Sequence, residues 1–264
     1  MILYKYFKYE DGLAAFDSRK CVFTKPAHFN DPFELNYLKK TLSSFDSHHY
    51  YSSKWLDSII NNSAITCFTK QPLNPLMWSH YADSHSGLVI GYEVDIPFFT
   101  SSEHNIVTIH DGDVVYSTSQ PEFNLSKDDV MIMERLFFAT TGDMELYRIY
   151  SDALRIARRL FLTKSSCWSY EEEVRVVKGV NRNLREEADF PDADRLRLCK
   201  PFDSKIYSNS TKSIIFEHEM QIAEVYLGCK ADDLPKECRL INQNCKFFRV
   251  AISDHGWNLC LSPL

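Results

Sequence analysis

The chain has 264 residues, 44% hydrophobic and 25% charged, a globular balance that excludes disordered, collagen-like and coiled-coil classes. Its 30 Lys and Arg against 36 Asp and Glu leave a net charge of −6, which argues against a broad nucleic-acid surface. With 8 glycines in all, little room remains for a glycine-rich phosphate cradle.

The first expected strand is Ile2–Tyr6, followed by a turn at Asp11-Gly12. Cys21–Thr24 reads as a second strand, stopped by Pro26, with a turn at Asn30-Asp31-Pro32. Residues 43–61 are polar with scattered aromatics and read as partly helical. Ala64–Thr69 is a compact apolar strand, and Met77–Ala82 a short helix with Pro75 in its first turn. Leu88–Val94 is another strand. Asp111-Gly112 between Ile106–Ile109 and Val114–Tyr116 predicts a hairpin. From about Ser126 to Leu162 the apolar spacing is helical, with a capping box at Ser126 and a break at Thr141-Gly142-Asp143. Strands return at Glu173–Lys178, Ser213–Phe216, Ile222–Leu227 and Lys246–Ile252, around a charged loop at 181–197. The expectation is an α+β fold in a single domain, residues 1–264. Its core is a mixed, split β-sheet, with a mainly helical insertion at about 126–163 that places a helical pair between the sheet's halves.

No apolar run nears the ~18 residues of a membrane span, and the start Met1–Tyr6 lacks a secretory pattern. The 8 cysteines form no C-x-x-C pair, which removes zinc-ribbon and thioredoxin-like spacings. A cytoplasmic protein with reduced thiols and no membrane partner follows.

Two segments could carry chemistry. Asn74–Gly87 is dense in polar and aromatic residues. On a helix, Trp78 and Tyr81 share a face and could sandwich a planar ring, or simply be core. His80 and His85 are five apart, which is not the spacing of two zinc ligands on a helix, so no metal site is assigned. Trp168–Val177 is the second segment. On a strand, Glu171, Glu173 and Arg175 point one way and Glu172, Val174 and Val176 the other. One carboxylate there could steady a developing cation or act as a general base; a structural ion pair is the alternative. Asn30-Asp31-Pro32-Phe33-Glu34 adds polar groups beyond what a turn needs, at Asp31 and Glu34 more than at Asn30. Cys67, on an apolar strand, reads as a small hydrophobe.

Five motifs are spread through almost the whole chain: Tyr4–Tyr6, Phe23–Glu34, Cys67–Thr69, Met77–Gly87 and Tyr170–Arg175, with Val225–Gly228 late in the chain. This set resembles the bacterial domain-of-unknown-function 2971 family. A weaker resemblance is to ADP-ribosyltransferases, in which a polar residue on an early strand, a central aromatic and a late-strand Glu hold NAD in a split sheet. That resemblance implies Glu173 as catalytic Glu, Glu171 as its helper and Arg175 as their partner. It implies NAD contacts from Lys5, Tyr6, Asn30, Asp31, Trp78, His80 and Tyr81. Glu171-x-Glu173 and Ser117-Thr118-Ser119 are similar to motifs of the same enzymes, which carry His or Arg where this chain has Lys5. NAD would be the cofactor, a protein or nucleic acid the acceptor, and a toxin or phage-defence role the setting. Two alternatives stay open. One is a nuclease or other phosphodiester hydrolase using Asp31, Glu34, Glu171 and Glu173 around a divalent metal. The other is a non-catalytic module that binds a nucleotide or peptide.

Overall fold

The computed structural model describes residues 1–35, 48–119, 127–140, 151–180, 206–209, 212–235 and 244–263. The capping box at Ser126, the break at 141–143 and the charged loop at 181–197 lie outside these residues.

Strand β1 (Ile2–Phe7) runs into helix α1 (Tyr9–Ser18), which returns to strand β2 (Lys20–Thr24). The expected turn at Asp11-Gly12 is instead the first part of α1. A Cβ on Gly12 would lie 2.7 Å from the Leu88 side chain, so glycine serves helix-to-sheet packing here. Asp11 joins Glu10 in the first helical turn, where negative charge suits the helix dipole. The helix stops at Arg19, which is left-handed (φ 50°) and returns its N–H to Ala15 O.

Helix α2 (His48–Asn61) leads to β3 (Ser63–Thr69), then helix α3 (Pro75–Tyr81) and β4 (Leu88–Glu93). A short helix α4 (Pro97–Thr100) precedes β5 (Val115–Ser117). The long helices α5 (Lys127–Thr140) and α6 (Ser151–Phe161) follow, then β6 (Thr163–Ser165). A 3₁₀ turn at Ser166–Glu171 opens β7 (Glu173–Gly179). The remaining strands are β8 (Ile206–Asn209), β9 (Ser213–Glu219), β10 (Ile222–Leu227), β11 (Lys246–Ile252) and β12 (Leu259–Pro263).

The chain is α+β around one large mixed sheet. Its order runs β12-β11-β10-β4-β1-β3-β2-β9-β8, with β7 also on β3. Among the described strands only β10–β11 is parallel in this sheet. All of β3 from Ser63 to Thr69 pairs with β7 along one edge. Its other edge meets β1 at Thr69, opposite Tyr4, and β2 at Ile65, opposite Thr24. β1 and β2 therefore leave the same edge of β3 at different points, and the sheet is split there.

The hairpin expected at 106–116 does not form. Residues 106–114 run instead along the outer edge of β7, with bridges Val107–Val177 and Asp113–Val174, and β5 pairs in parallel with β6. Gly112 lies against the strand: a Cβ there would sit 2.0 Å from Arg175 O. With both edges and both faces covered, β7 is buried from Glu173 through Lys178. One face of the β3–β7 pair packs Ile65 and Val177 against α2, α5 and α6. The other packs Ala64, Phe68, Val174 and Val176 among Phe23, Phe98 and Phe216. Among the described residues no helix is long and apolar enough to cross a membrane.

Candidate functional site

A cavity of about 710 Å³ opens where β1 and β2 part, within the range of small-molecule sites. The β1 side contributes Lys5 and Tyr6, α1 contributes Ala14 and Ala15, and the stretch of β3 between its pairings with β2 and β1 contributes Cys67. The start of β7 and its neighbours contribute Glu34, Lys164, Glu171, Glu173 and Arg175, with Asn30 and Tyr81 beside them.

Local structure explains how the two glutamates converge. Glu171 ends the 3₁₀ turn and Glu173 starts β7, so they do not share a strand as expected. Between them Glu172 is left-handed (φ 42°), and this kink lets both carboxylates reach one ammonium. Lys164 Nζ lies 2.5 Å from Glu171 Oε2, 3.0 Å from Glu173 Oε2 and 3.2 Å from Glu34 Oε1. Arg175 grips Glu173 with Nε at 2.8 Å and Nη2 at 2.9 Å. The same Nη2 reaches both oxygens of Glu34, at 3.0 and 2.9 Å, while Nη1 donates to Phe161 O. All five side chains are at most 7% exposed. Three carboxylates and two cations thus form one buried network, with Phe29 on the Arg175 guanidinium and Trp168 beside the Lys164 ammonium.

Helix α3 aims Tyr81 at this network. Asn74 caps the helix, accepting from Leu76 and Met77 N–H, and its amide donates to Tyr170 O at 2.8 Å. Cap and 3₁₀ turn are therefore tied together, and Tyr81 donates to Glu171 Oε1 at 2.6 Å. Asn30 donates to the same phenol at 3.3 Å. Tyr116 of β5 accepts the Glu173 N–H at 2.9 Å.

The two glutamates differ electrostatically. Burial raises the pKa of Glu171 despite the opposing pull of Lys164 and Tyr81. Burial also works against ionisation of Glu173, but Arg175 and Lys164 outweigh it and hold that carboxyl at about 2. Paired carboxylates with pKa values driven apart are a common acid–base arrangement. Cys67, on the cavity floor, bonds Glu173, and burial pushes its thiol well up, so it stays protonated. Lys5 is the contrasting cation. Its amine donates to Thr66 Oγ1 at 2.6 Å and lies over the Phe68 ring. Burial lowers its pKa, and among the described residues no carboxylate bonds it.

The structure gathers Lys5, Tyr6, Asn30, Tyr81, Glu171, Glu173 and Arg175 around one cavity. Tyr6 also donates to Gln71 O at 2.8 Å, which anchors its ring. Three expected contacts are placed elsewhere. Trp78 is fully buried in the core, bonded to Pro72 O and packed edge-on by Tyr6, so no ring slot lies between Trp78 and Tyr81. His80 is exposed, with its ring 6.2 Å from Tyr170. Asp31 is buried and accepts the Phe33 N–H at 2.9 Å. The turn-former is thus Asp31, while Asn30 and Glu34 point to the site. Ser117 bonds Ser119 O at the end of β5, and neither borders the cavity.

The metal-hydrolase geometry finds less support. Asp31 serves its own turn, and the Lys164 ammonium fills the point where three glutamates converge. Among the described residues no group of three or more His, Cys, Asp or Glu is set to hold an ion. Sequence reasoning missed Lys164 altogether. Its one signal is a lysine two residues after the apolar run Leu160-Phe161-Leu162, where a charge needs a partner.

No curated protein and no solved structure matches the chain significantly, so no such match points to an ADP-ribosyltransferase. Residues 77–176 match the family model described as Protein of unknown function (DUF2971). The matched segment spans Tyr81, Lys164, Glu171, Glu173 and Arg175, and it supports the resemblance to that family over this part of the chain.

Proposed function

We propose that the chain is an ADP-ribosyltransferase-like enzyme that takes NAD into the split-sheet cavity and modifies a macromolecular acceptor. The observation that carries this reading is the opposition of charge around one cavity. Lys5 brings from β1 a basic amine that no carboxylate bonds among the described residues, and Glu171 and Glu173 bring carboxylates from the start of β7. A ligand with a phosphate portion and a cationic ring suits both.

NAD supplies a diphosphate and a nicotinamide whose bond to the ribose C1′ breaks, the bonding electrons leaving with nicotinamide. Glu173, kept ionised by Arg175 and Lys164, stands ready to stabilise positive charge on the ribose more than it stabilises the ground state. Its rigid grip matters, because a preorganised carboxylate does not have to reorient as charge develops. Glu171, the weaker acid of the pair, takes the proton of the attacking acceptor group. Tyr81 and Asn30 offer hydrogen bonds to ribose hydroxyls, and Lys5 meets the diphosphate.

The test uses purified protein, NAD labelled in the adenylate half, and separate protein, RNA and DNA acceptor pools. Label transfer or nicotinamide release is expected from the wild type. Glu173→Gln should lower the rate about 10²–10³-fold with little change in NAD affinity. Wild-type protein that neither binds nor turns over NAD overturns the reading. NAD binding without turnover, equal in both proteins, favours the binding module.

A further inference from the structure

Glu34 has no counterpart among the roles above, yet both its oxygens are taken by the cations that serve Glu171 and Glu173. Oε1 lies 3.2 Å from Lys164 and 3.0 Å from Arg175, and Oε2 lies 2.9 Å from Arg175. Its side chain is 4% exposed. Counting charge shows the consequence. Lys164 and Arg175 alone would neutralise Glu171 and Glu173. Adding the Glu34 carboxylate sets three acidic groups against two cations, in a buried setting where water screens little.

We propose that Glu34 is a positioning residue that sets ligand selectivity: by drawing on Lys164 and Arg175 it leaves negative charge at the Glu171–Glu173 end of the cavity, away from Lys5 on β1, and so favours a positively charged ring there. The claim rests on the NAD reading for the identity of the ring, not for the charge balance. The segment fits the role. Asp31 accepts the Phe33 N–H, and the Glu34 N–H donates to Asp31 O, so the turn holds Glu34 in place. Buried Leu35 anchors the other side in the helical core.

The direct test compares the N-methylnicotinamide cation with neutral nicotinamide, each titrated into the full chain by calorimetry. Wild type should favour the cation about tenfold, the scale of one unit of differential interaction with a single charge. Glu34→Gln should bring the ratio close to one through loss of cation affinity alone, and Glu34→Asp, which keeps the charge, should restore part of it. An unchanged ratio in a folded Glu34→Gln protein overturns the proposal.

A second readout needs no ligand. The Glu171 carboxyl, labelled with ¹³C, is titrated in wild type and Glu34→Gln. Around it stand Lys164 of β6, Tyr81 of α3, Tyr116 of β5, Tyr170 of the 3₁₀ turn, Glu173 of β7 and Glu34. Removing the Glu34 charge frees Lys164 to act on Glu171, so the midpoint should fall. A merely structural role for Glu34 would not move it in that direction. A midpoint that stays put overturns the proposal whatever NAD does. If no nicotinamide compound binds while the midpoint falls, the charge role stands and the NAD reading fails.

Discussion

Lys5 and Lys164 border the same cavity from different strands, and their surroundings could hardly differ more. Lys164 has three carboxylates within 3.2 Å. Burial works to lower its pKa, yet Glu173, Glu34 and Glu171 outweigh that and raise it. Lys5 has a threonine hydroxyl and the face of a phenylalanine, and burial lowers its pKa. Taking an ammonium out of water is costly unless an opposite charge and hydrogen bonds replace the solvent. Lys164 receives that replacement from the protein. Lys5 does not, and so keeps an unmet demand for an anion. A perturbed, poorly compensated charge in a cleft is a mark of a ligand site, whereas a fully compensated one is part of the scaffold that holds the site.

The comparison breaks most directly at Lys164. Lys164→Met removes the ammonium from among three buried carboxylates and leaves Arg175 alone to answer them. Losing one partner of a buried ionic network costs about 3–5 kcal/mol, read as a lower urea midpoint at neutral pH. On the proposed function, NAD turnover should vanish with it, since Glu171 and Glu173 lose the group that draws them together. A midpoint equal to wild type would mean that Lys164 is not the scaffold cation that its contacts suggest.

That role was invisible in the sequence for a physical reason. The strands that could be read ahead of the structure were those whose apolar patterns end at turn residues. Ile222–Leu227 and Lys246–Ile252 have the expected bounds, and β3 and β7 differ from theirs by one residue at one end. Helix α1 was missed because Asp11-Gly12 is ambiguous locally; only the close approach of Leu88 explains the glycine. The hairpin at 106–116 failed for a related reason, since β7 offers residues 106–114 a longer-range partner. In the site, Glu171, Glu173, Arg175 and Tyr81 were legible from residue type and spacing. Trp78 was ambiguous, because an aromatic in a motif can serve a ligand or the core, and here it is core. Glu34 stood out beside its turn by residue type, but its partners did not; Lys164 belongs to the site only through contacts that join residues 34, 164, 171 and 173, and spacing along the chain cannot encode these.

A second prediction sharpens the picture of compensated charge through pH. Glu173 has its pKa lowered from 4.5 to about 2 in the folded chain. A depressed carboxylate adds stability that is fully present above its unfolded value and is lost as pH falls toward the folded one. The loss between about pH 4.5 and 2 should amount to about 3 kcal/mol. Glu171 acts with the opposite sign. Its raised pKa gives stability present at low pH and lost as pH rises through the folded value. Urea unfolding across this range should show an acid limb that flattens in Glu173→Gln. An equally steep limb in the variant would assign acid sensitivity to other carboxylates.

The smallest stability effect, and the most telling, is expected at Lys5. Lys5→Met keeps the length of the side chain over Phe68 but removes an amine that burial already disfavours. The lost Thr66 bond and the relieved desolvation nearly cancel, so stability should change by less than about 1 kcal/mol, toward the stable side. Ligand binding should change more. If the amine meets a diphosphate, ADP-ribose should bind Lys5→Met about tenfold more weakly, the scale of one charge-assisted hydrogen bond, while nicotinamide affinity stays as it was. This pattern is the reverse of Lys164→Met, in which stability falls heavily. A Lys5→Met protein that is strongly destabilised would show that the lysine is structural after all, and the contrast between the two cations would be lost. One that is stable and binds ADP-ribose normally would keep the contrast in compensation and move the anion site away from β1.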